Sequence, residues 1–236
     1  MRLDEEYCLS EYVDLGRLGD NEKVHIVRNQ VNGVIGVRKY VALDLEEIYL
    51  FLKENPNAYI PKIYECIQTD TNLIVIEEYL SGKNLEEMLK EKYFSEKDAA
   101  DIIICLCNAL YPLHHAKMPV ICRDLKAENV ILTNEGEVKL VDFDIARIYQ
   151  PGKSKDTVMM GTQGYAAPEQ FGFGQTDART DIYAMGVLLN YMLVREFPME
   201  KLTEGKFRTI VLKCIKINPE DRYQNVDELK ADICNA

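Results

Sequence analysis

Residues 122–129 of this chain read CRDLKAEN, and this stretch decides how the remainder is interpreted. Two further blocks follow it in order, DFD at residues 142–144 and APE at residues 167–169. Any one of the three could stand in an ordinary surface turn. Together they supply carboxylates, an amide and a lysine, which are the side chains that manage phosphate charge and hold oxygen-bound metal ions.

The overall composition is that of a soluble globular chain. Of the 236 residues, 47% are hydrophobic and 28% are charged, which suits one large domain or two lobes that share a core. No apolar run approaches the roughly 18 residues that span a bilayer, so no membrane segment is expected. The net charge of −11 argues against non-specific nucleic-acid binding, which requires a basic surface.

The cysteines and the N-terminal residues of the chain indicate in which cellular compartment the protein is expected. The chain has seven cysteines, an odd number, and none forms a Cys-x-x-Cys pair, so reduced thiols are expected rather than disulfides or a zinc site. Residues 1–6 are acidic and no apolar segment follows them, so we expect no secretion signal. Both observations predict a cytoplasmic location.

The first third of the chain has the pattern of short β-strands with one helix. β-branched segments at residues 24–27 and 34–41 flank Asn32-Gly33, which is a hairpin signal. Residues 45–54 have helical spacing, and residues 73–76 read as a further strand.

After Gly82 the pattern changes to long helices. Ser95 with Asp98 predicts a capping box, followed by apolar residues at helical spacing. Further helices are predicted over residues 181–194 and 226–231. Short strands are expected at residues 120–121, 130–132 and 138–141.

The three blocks and this organisation resemble eukaryotic-type (Hanks-type) protein kinases, in wording closest to the bacterial serine/threonine kinases. The resemblance implies an α+β, bilobal kinase-like fold, with a small β-rich N-lobe containing one main helix and a larger, mainly helical C-lobe. It makes residues 1–236 one kinase domain, with the N-lobe at about 12–80 and the C-lobe at 81–236. It also implies a transferase that uses ATP and Mg²⁺, with Mn²⁺ as an alternative ion.

The resemblance assigns chemical roles within the three blocks. Asp124 would accept the proton of the substrate hydroxyl, and Lys126 would contact the γ-phosphate, as in serine/threonine-directed kinases. Asn129 and Asp142 would hold the metal ion.

Most of the other roles fall in the N-lobe. Lys39 would hold the α- and β-phosphates, paired with a carboxylate from the helix that follows. Glu46 and Glu47 compete for that role, and Glu47 is preferred from the sequence. The resemblance places the remaining nucleotide contacts at Gly16, Gly19, Val24, Val37, Glu78, Leu80 and Ile131.

Four residues depart from the family pattern. Glu22 stands where the family's nucleotide-binding loop has its third glycine. Asp144 replaces the glycine of the family's metal-binding loop, which is residues 142–144 in this chain. Cys122 replaces a histidine and is expected to be a small buried side chain. Glu77 falls at a position that is usually apolar or threonine, and a buried carboxylate there needs a partner, for which Lys39 is a candidate.

The segment after the metal-binding loop carries further expectations. Thr162 should hydrogen-bond Asp124 and Lys126. Glu169 should form a buried ion pair with Arg222, and Asp181 should brace the catalytic-loop backbone. Arg38 is expected to be a solvated neighbour of Lys39. Thr157 is the first candidate for autophosphorylation and Ser154 is the second.

Two classes of function remain in competition at this point. The first is an active protein kinase that phosphorylates serine and threonine hydroxyls of protein substrates. The second is a pseudokinase that binds nucleotide and acts as a regulatory or scaffolding module, as the four departures suggest. A kinase of small molecules is a third alternative. The sequence leaves the substrate and the oligomeric state open.

Overall fold

The structure is a computed structural model that describes residues 3–19, 22–152, 160–172 and 174–236. The chain divides into two compact units, Met1–Ser81 and Gly82–Ala236. The sequence places its lobe boundary at residues 80/81.

Thr157 and Ser154, the predicted phosphorylation sites, lie outside the described residues. No helix in the described ranges is both long enough and apolar enough to cross a membrane.

The first unit is an antiparallel sheet with one helix packed on it. Its elements are α1 (Leu3–Ser10), β1 (Tyr12–Arg17), β2 (Val24–Asn29), β3 (Ile35–Val41), α2 (Glu46–Glu54), β4 (Ile63–Gln68) and β5 (Leu73–Glu78). The strands are ordered β1-β2-β3-β5-β4. α2 packs against β4 and buries Ile48, Tyr49 and Leu52.

The predicted β2–β3 hairpin forms through local hydrogen bonds. The Asn29 side chain accepts the backbone N–H groups of Val31 and Asn32 at 2.9 and 3.1 Å. Gly33 takes a φ of 75°, a conformation that favours glycine. The turn therefore fixes the register in which Lys39 faces Val24 across the two strands.

The second unit is mainly helical. Its elements are β6 (Gly82–Asn84), α3 (Leu85–Glu91), α4 (Glu96–His114), β7 (Val120–Ile121), β8 (Val130–Thr133), β9 (Val138–Leu140), β10 (Arg147–Ile148), α5 (Ala178–Val194), α6 (Lys206–Cys214) and α7 (Val226–Asn235). α4 packs against α5 and α7, and α5 packs against α6. The short strands form two small antiparallel sheets, β10-β7 and β6-β8-β9.

The central helices are set by their caps and by close packing. The predicted capping box at Ser95 and Asp98 is present at the start of α4. α5 is buried on almost every side, and a side chain at Gly186 would come within 2.2 Å of the Cys214 Cβ. Glycine at this position therefore lets α5 and α6 approach closely.

The predicted fold class is confirmed, and so are the strands and helices expected from the sequence pattern. α1 was not predicted, because its residues have little amphipathic periodicity. All seven cysteines are free thiols. Cys122 is buried, as expected, and burial raises the pKa of its thiol well above the usual range.

Candidate active site

The catalytic loop, residues 122–129, connects β7 to β8, and a side chain of α5 accepts hydrogen bonds from its backbone. The carboxylate of Asp181, fully buried in the first turn of α5, accepts the backbone N–H of Cys122 at 2.9 Å and that of Arg123 at 2.8 Å. Arg123 has a φ of 67°, an uncommon conformation for a non-glycine residue. The two hydrogen bonds hold the backbone in this conformation, and the predicted bracing role of Asp181 is confirmed.

Three side chains fix the orientation of the Asp124 carboxylate. Thr162 donates its hydroxyl to Oδ1 at 2.7 Å, and Lys126 Nζ lies 2.8 Å from Oδ2. Asn129 donates from Nδ2 to Oδ2 at 3.0 Å and to the backbone carbonyl of Asp124 at 2.9 Å. Lys126 also donates to the Thr162 hydroxyl at 3.1 Å. The arrangement presents an oriented, half-buried carboxylate beside a lysine, which is the geometry of a proton acceptor next to an anion site.

The expected contacts of Thr162 are thus confirmed, and they lead to a test. We expect Thr162→Ala to lower the rate of the phosphoryl transfer that the sequence predicts roughly ten-fold, because a loosely held carboxylate spends less time in the productive orientation. Thr162→Ser keeps the hydroxyl and should retain most of the rate. Initial rates of the three proteins with labelled ATP provide the comparison. Equal rates for the alanine and serine variants would contradict the positioning role.

Asn129 and Asp142, the predicted metal ligands, are neighbours through the β8–β9 hairpin. Val130 pairs with Leu140, and Val141 donates its N–H to the Asn129 carbonyl at 2.9 Å. Because Asn129 directs its amide Nδ2 at Asp124, its Oδ1 points away from that carboxylate. Asp142 has a φ of 69° and accepts the Asp144 N–H at 3.1 Å. One carboxylate and one amide oxygen suit Mg²⁺, which takes its other ligands from phosphates and water.

Asp144, which replaces the family glycine, is accommodated without strain. It is exposed and does not take the left-handed conformation that Asp142 and Arg123 adopt. The substitution therefore removes no catalytic group and requires no unusual backbone geometry at that position.

Several of the predicted nucleotide-binding residues share one face of the first unit's sheet. Val24 lies opposite Lys39 in the β2–β3 pairing, and Val37 lies two residues before Lys39. Glu77 lies opposite Val37 in the β3–β5 pairing. Because side chains alternate along a strand, these four point to the same side.

Lys39 and Glu77 form an ion pair with Nζ and Oε1 2.5 Å apart. Both side chains are largely buried, at 13% and 7% exposure. The expected partner of Glu77 is therefore confirmed. Since a buried charge without a partner is strongly unfavourable, the pair explains how a carboxylate is accommodated at this position.

The structure separates the two glutamates that compete for Lys39. Glu46 is half-buried at the start of α2, whereas Glu47, the preferred candidate, is exposed. Burial raises the pKa of the Cys66 thiol on β4 to about 11, and the negative charges of Glu46 and Glu77 add to the shift. Glu46 is thus the more buried of the two glutamates, and the preference for Glu47 stays a prediction.

The glycine-containing turn lies between β1 and β2. Gly16 sits at a bulge with a φ of 132°, and Gly19 has a φ of 69°. Both conformations favour glycine. Glu22, at the expected third glycine, is exposed and lies 3.3 Å from Arg17 Nη1.

Sequence reasoning missed Asp14, which organises this turn from β1. Its carboxylate accepts the Gly16 N–H at 2.8 Å, and it pairs with His25 at 2.8 Å and with Arg38 at 2.5 Å. Arg38 was expected to be solvated, and this expectation is wrong, since its side chain is only 17% exposed. An acidic residue two positions before a glycine was the available signal.

The remaining predicted nucleotide contacts, Glu78, Leu80 and Ile131, lie in or just after strands β5 and β8. Glu78 ends β5, where its N–H donates to the Lys62 carbonyl at 2.8 Å and its carboxylate accepts the Lys62 N–H at 3.1 Å. The half-buried Leu80 follows two residues later. Ile131 is a half-buried residue of β8, paired with Asn84 and Lys139.

The segment 160–170 is tied to the C-terminal unit by buried polar contacts. Glu169 receives two hydrogen bonds from Arg222, at 2.7 and 2.9 Å, and one from Thr180 at 2.8 Å. The predicted ion pair is confirmed. Gln170, which sequence reasoning missed, donates from Nε2 to the Arg123 carbonyl at 2.9 Å and to the Met160 carbonyl at 2.8 Å. It links the segment directly to the catalytic loop.

This fold and this set of side chains define the catalytic domain of a protein kinase. Residues 28–234 match the protein kinase domain family. The chain belongs to that family, among the eukaryotic-type serine/threonine kinases of bacteria.

Named relatives share part of their length with this chain. The chain is 32% identical to a probable serine/threonine-protein kinase PknB of Corynebacterium glutamicum over 192 residues, covering 67% of this chain and 29% of the relative. It is 32% identical to a probable serine/threonine-protein kinase of Clostridium perfringens, covering 70% and 27%. For the serine/threonine-protein kinase PknB of Mycobacterium tuberculosis the identity is 28%, with 98% and 43% covered. The chain spans less than half the length of each of these relatives.

Proposed function

We propose that this chain transfers the γ-phosphoryl group of ATP to serine and threonine hydroxyls of protein substrates. The observation that carries the proposal is the Asp124 carboxylate, held by Thr162, Lys126 and Asn129 in one orientation. In phosphoryl transfer the protein mainly positions the reactants and stabilises charge. An oriented carboxylate can accept the proton of the hydroxyl, and the neighbouring lysine can contact the phosphate.

The residues present suit ATP with Mg²⁺, or Mn²⁺ in its place. Asn129 and Asp142 offer oxygen ligands, and Lys126 and Lys39 offer positive charge for phosphate oxygens. A bound metal ion would neutralise charge on the phosphates. Glu46 is our candidate for the carboxylate that positions Lys39 when Lys39 leaves Glu77, and the sheet face with Val24 and Val37 supplies apolar contacts for the base.

The two glutamates give a direct test of that assignment. We expect Glu46→Gln to lower phosphoryl transfer roughly ten-fold, because a charge-assisted contact to Lys39 would be lost. Glu47→Gln is the matched control, since it makes the same chemical change one residue away on the exposed side of α2. Its rate should stay within about two-fold of the parent. Equal losses in both variants would contradict the choice of Glu46.

We also propose autophosphorylation at Thr157 or Ser154. The support comes from Arg123 and Arg147. Burial lowers the pKa of the Arg123 guanidinium, and the positive charge of Arg147 adds to that shift. Arginine guanidinium groups pair readily with phosphate oxygens, so a phosphorylated threonine or serine would have two candidate partners beside the catalytic loop.

The proposal is tested by incubating the purified chain with γ-labelled ATP, Mg²⁺ and a basic protein substrate, followed by mapping of the labelled residues. Label on serine or threonine, lost in Asp142→Asn, is the expected result. ATP binding without any transfer would instead favour a nucleotide-binding pseudokinase. One observation favours that alternative. Lys39, the lysine expected to bind the nucleotide phosphates, is paired with Glu77 in this structure.

Free thiols at all seven cysteines support a reducing, cytoplasmic location, which we propose on that ground. The acidic net charge of −11 speaks against nucleic acid as a partner.

A further inference from the structure

The ion pair between Lys39 and Glu77 joins two inner strands of the first unit's sheet. β3 lies between β2 and β5, and β5 lies between β3 and β4. Lys39 is registered with Val75, and Val37 with Glu77, so the two charged residues are diagonal neighbours on one face. The sheet holds both main chains in place through a strand on either side. A rearrangement of this pair therefore involves the two side chains and not the backbone.

Glu77 is a charged residue in an otherwise apolar stretch of β5. Residues 73–76 are Leu, Ile, Val and Ile, all of them buried, and Glu77 is buried with them. Replacing a buried ion pair by apolar side chains is often neutral or stabilising, so stability alone does not account for a carboxylate here. The effect of Glu77 on Lys39 offers an explanation.

Lys39 carries a single positive charge, which two kinds of anion would share. The Glu77 oxygen lies 2.5 Å from the Lys39 Nζ. A phosphate oxygen that approaches the same ammonium group also meets the negative charge of Glu77. Repulsion between like charges a few ångströms apart is strong where water is largely excluded, as it is around these two side chains.

We propose that Glu77 is a positioning residue for Lys39 that competes with the phosphates of a bound nucleotide. Glu77 holds the ammonium group before nucleotide binds, and its charge opposes the phosphate that takes its place. Glu77 thereby lowers the affinity for nucleotides that carry phosphates and leaves the contacts to the base unaltered. This role rests on the proposed function, because it requires that Lys39 binds nucleotide phosphates, but it does not require phosphoryl transfer.

Glu77→Gln removes the charge and keeps nearly the same shape. The affinity of this variant for ATP with Mg²⁺, measured by calorimetry, should rise on the order of ten-fold, because a carboxylate no longer competes for Lys39. Adenosine carries the base and the ribose without phosphates, so its affinity should stay within about two-fold of the parent value. A residue that only shapes the pocket would change both affinities alike.

Two further variants separate the charge of Glu77 from its size. Glu77→Asp keeps the charge on a shorter side chain, so it should bind ATP more weakly than Glu77→Gln does. If packing decided the affinity, the smaller aspartate would be the more disruptive change. In a Lys39→Met background, Glu77→Gln should change the ATP affinity by less than about two-fold, since the two residues act as a unit.

Glu65→Gln is the matched control, because it removes a carboxylate from another ion pair of the same unit, with Lys53 at 3.0 Å. Its ATP affinity should equal that of the parent. Thermal unfolding shows whether each variant is folded, and Glu77→Thr provides a second uncharged variant if Glu77→Gln is not.

Three results would each overturn this role of Glu77. They are equal ATP affinity in the parent and the uncharged variant, a parallel gain in affinity for adenosine, and the same gain in the Lys39→Met background. Absence of ATP binding in every variant would overturn both this role and the proposed function. Phosphoryl transfer is measured separately on the same proteins. The expected affinity changes without any transfer would contradict the proposed kinase activity and support the role of Glu77.

Discussion

Replacing Asp124 by asparagine is expected to lower phosphoryl transfer by on the order of 10²–10⁴-fold, which is the usual contribution of a positioned acid or base. Asparagine has nearly the same size and can still accept the Thr162 hydroxyl through its carbonyl oxygen. It cannot take up the proton of an incoming hydroxyl. The measurement is the initial rate with labelled ATP at saturating Mg²⁺, beside the affinity for ATP determined by calorimetry, which should be unchanged.

Asp101→Asn provides the matched control. Asp101 is exposed on α4, so the same chemical change there should leave both the rate and the ATP affinity unaltered. Undiminished transfer by Asp124→Asn would remove the central support for the proposed kinase activity. Lost ATP binding in that variant would show instead that the carboxylate matters for folding or nucleotide affinity.

Residues within one short motif were the easiest to place from the sequence. Asp124, Lys126 and Asn129 lie within six positions of each other, and a loop that short must bring them together once its ends are fixed. Their partner Thr162 was also expected, because its segment has a recognisable wording. The structure brings Thr162, Lys126 and Asn129 each within hydrogen-bond distance of the Asp124 carboxylate.

The choice between Glu46 and Glu47 could not be made from the sequence, for a geometric reason. Neighbouring residues on a helix point about 100° apart, so a shift of one residue in the helix start changes which one faces the sheet. Here a turn of 3₁₀-helix at Leu43–Leu45 precedes α2 and sets that phase. Apolar spacing within the helix does not reveal such a turn.

Contacts between residues distant in the chain were missed where no motif announced them. Gln170 reaches the Arg123 carbonyl across 47 positions, and His114 reaches Asp181 across 67. Each is a polar residue in an otherwise ordinary pattern, and only the packed structure shows that it is buried. Asp14 was missed because its partner Arg38 lies 24 positions away on another strand.

The buried pair between Glu169 and Arg222 gives the largest expected effect on stability. Arg222→Met is expected to lower the free energy of unfolding by about 3–5 kcal/mol, because it leaves the Glu169 carboxylate buried without its positive partner. Arg222 also donates to the backbone carbonyls of Lys216 and Ile217, at 2.8 and 3.1 Å, so these acceptors lose a partner too. Thermal unfolding should show a decrease of roughly 6–20 °C in the midpoint, at about 2–4 °C per kcal/mol.

Two comparisons separate the loss of the ion pair from a general effect of removing a cation. Lys201→Met breaks the exposed contact with Glu196, whose side chains are 59% and 48% exposed, and should change stability by at most about 1 kcal/mol. The double variant Glu169→Leu with Arg222→Met removes both charges and should recover part of the stability lost in Arg222→Met alone. If the double variant has a lower free energy of unfolding than Arg222→Met alone, the ion pair stabilises the unit through its contacts. Recovery would show that the penalty comes from the carboxylate left alone.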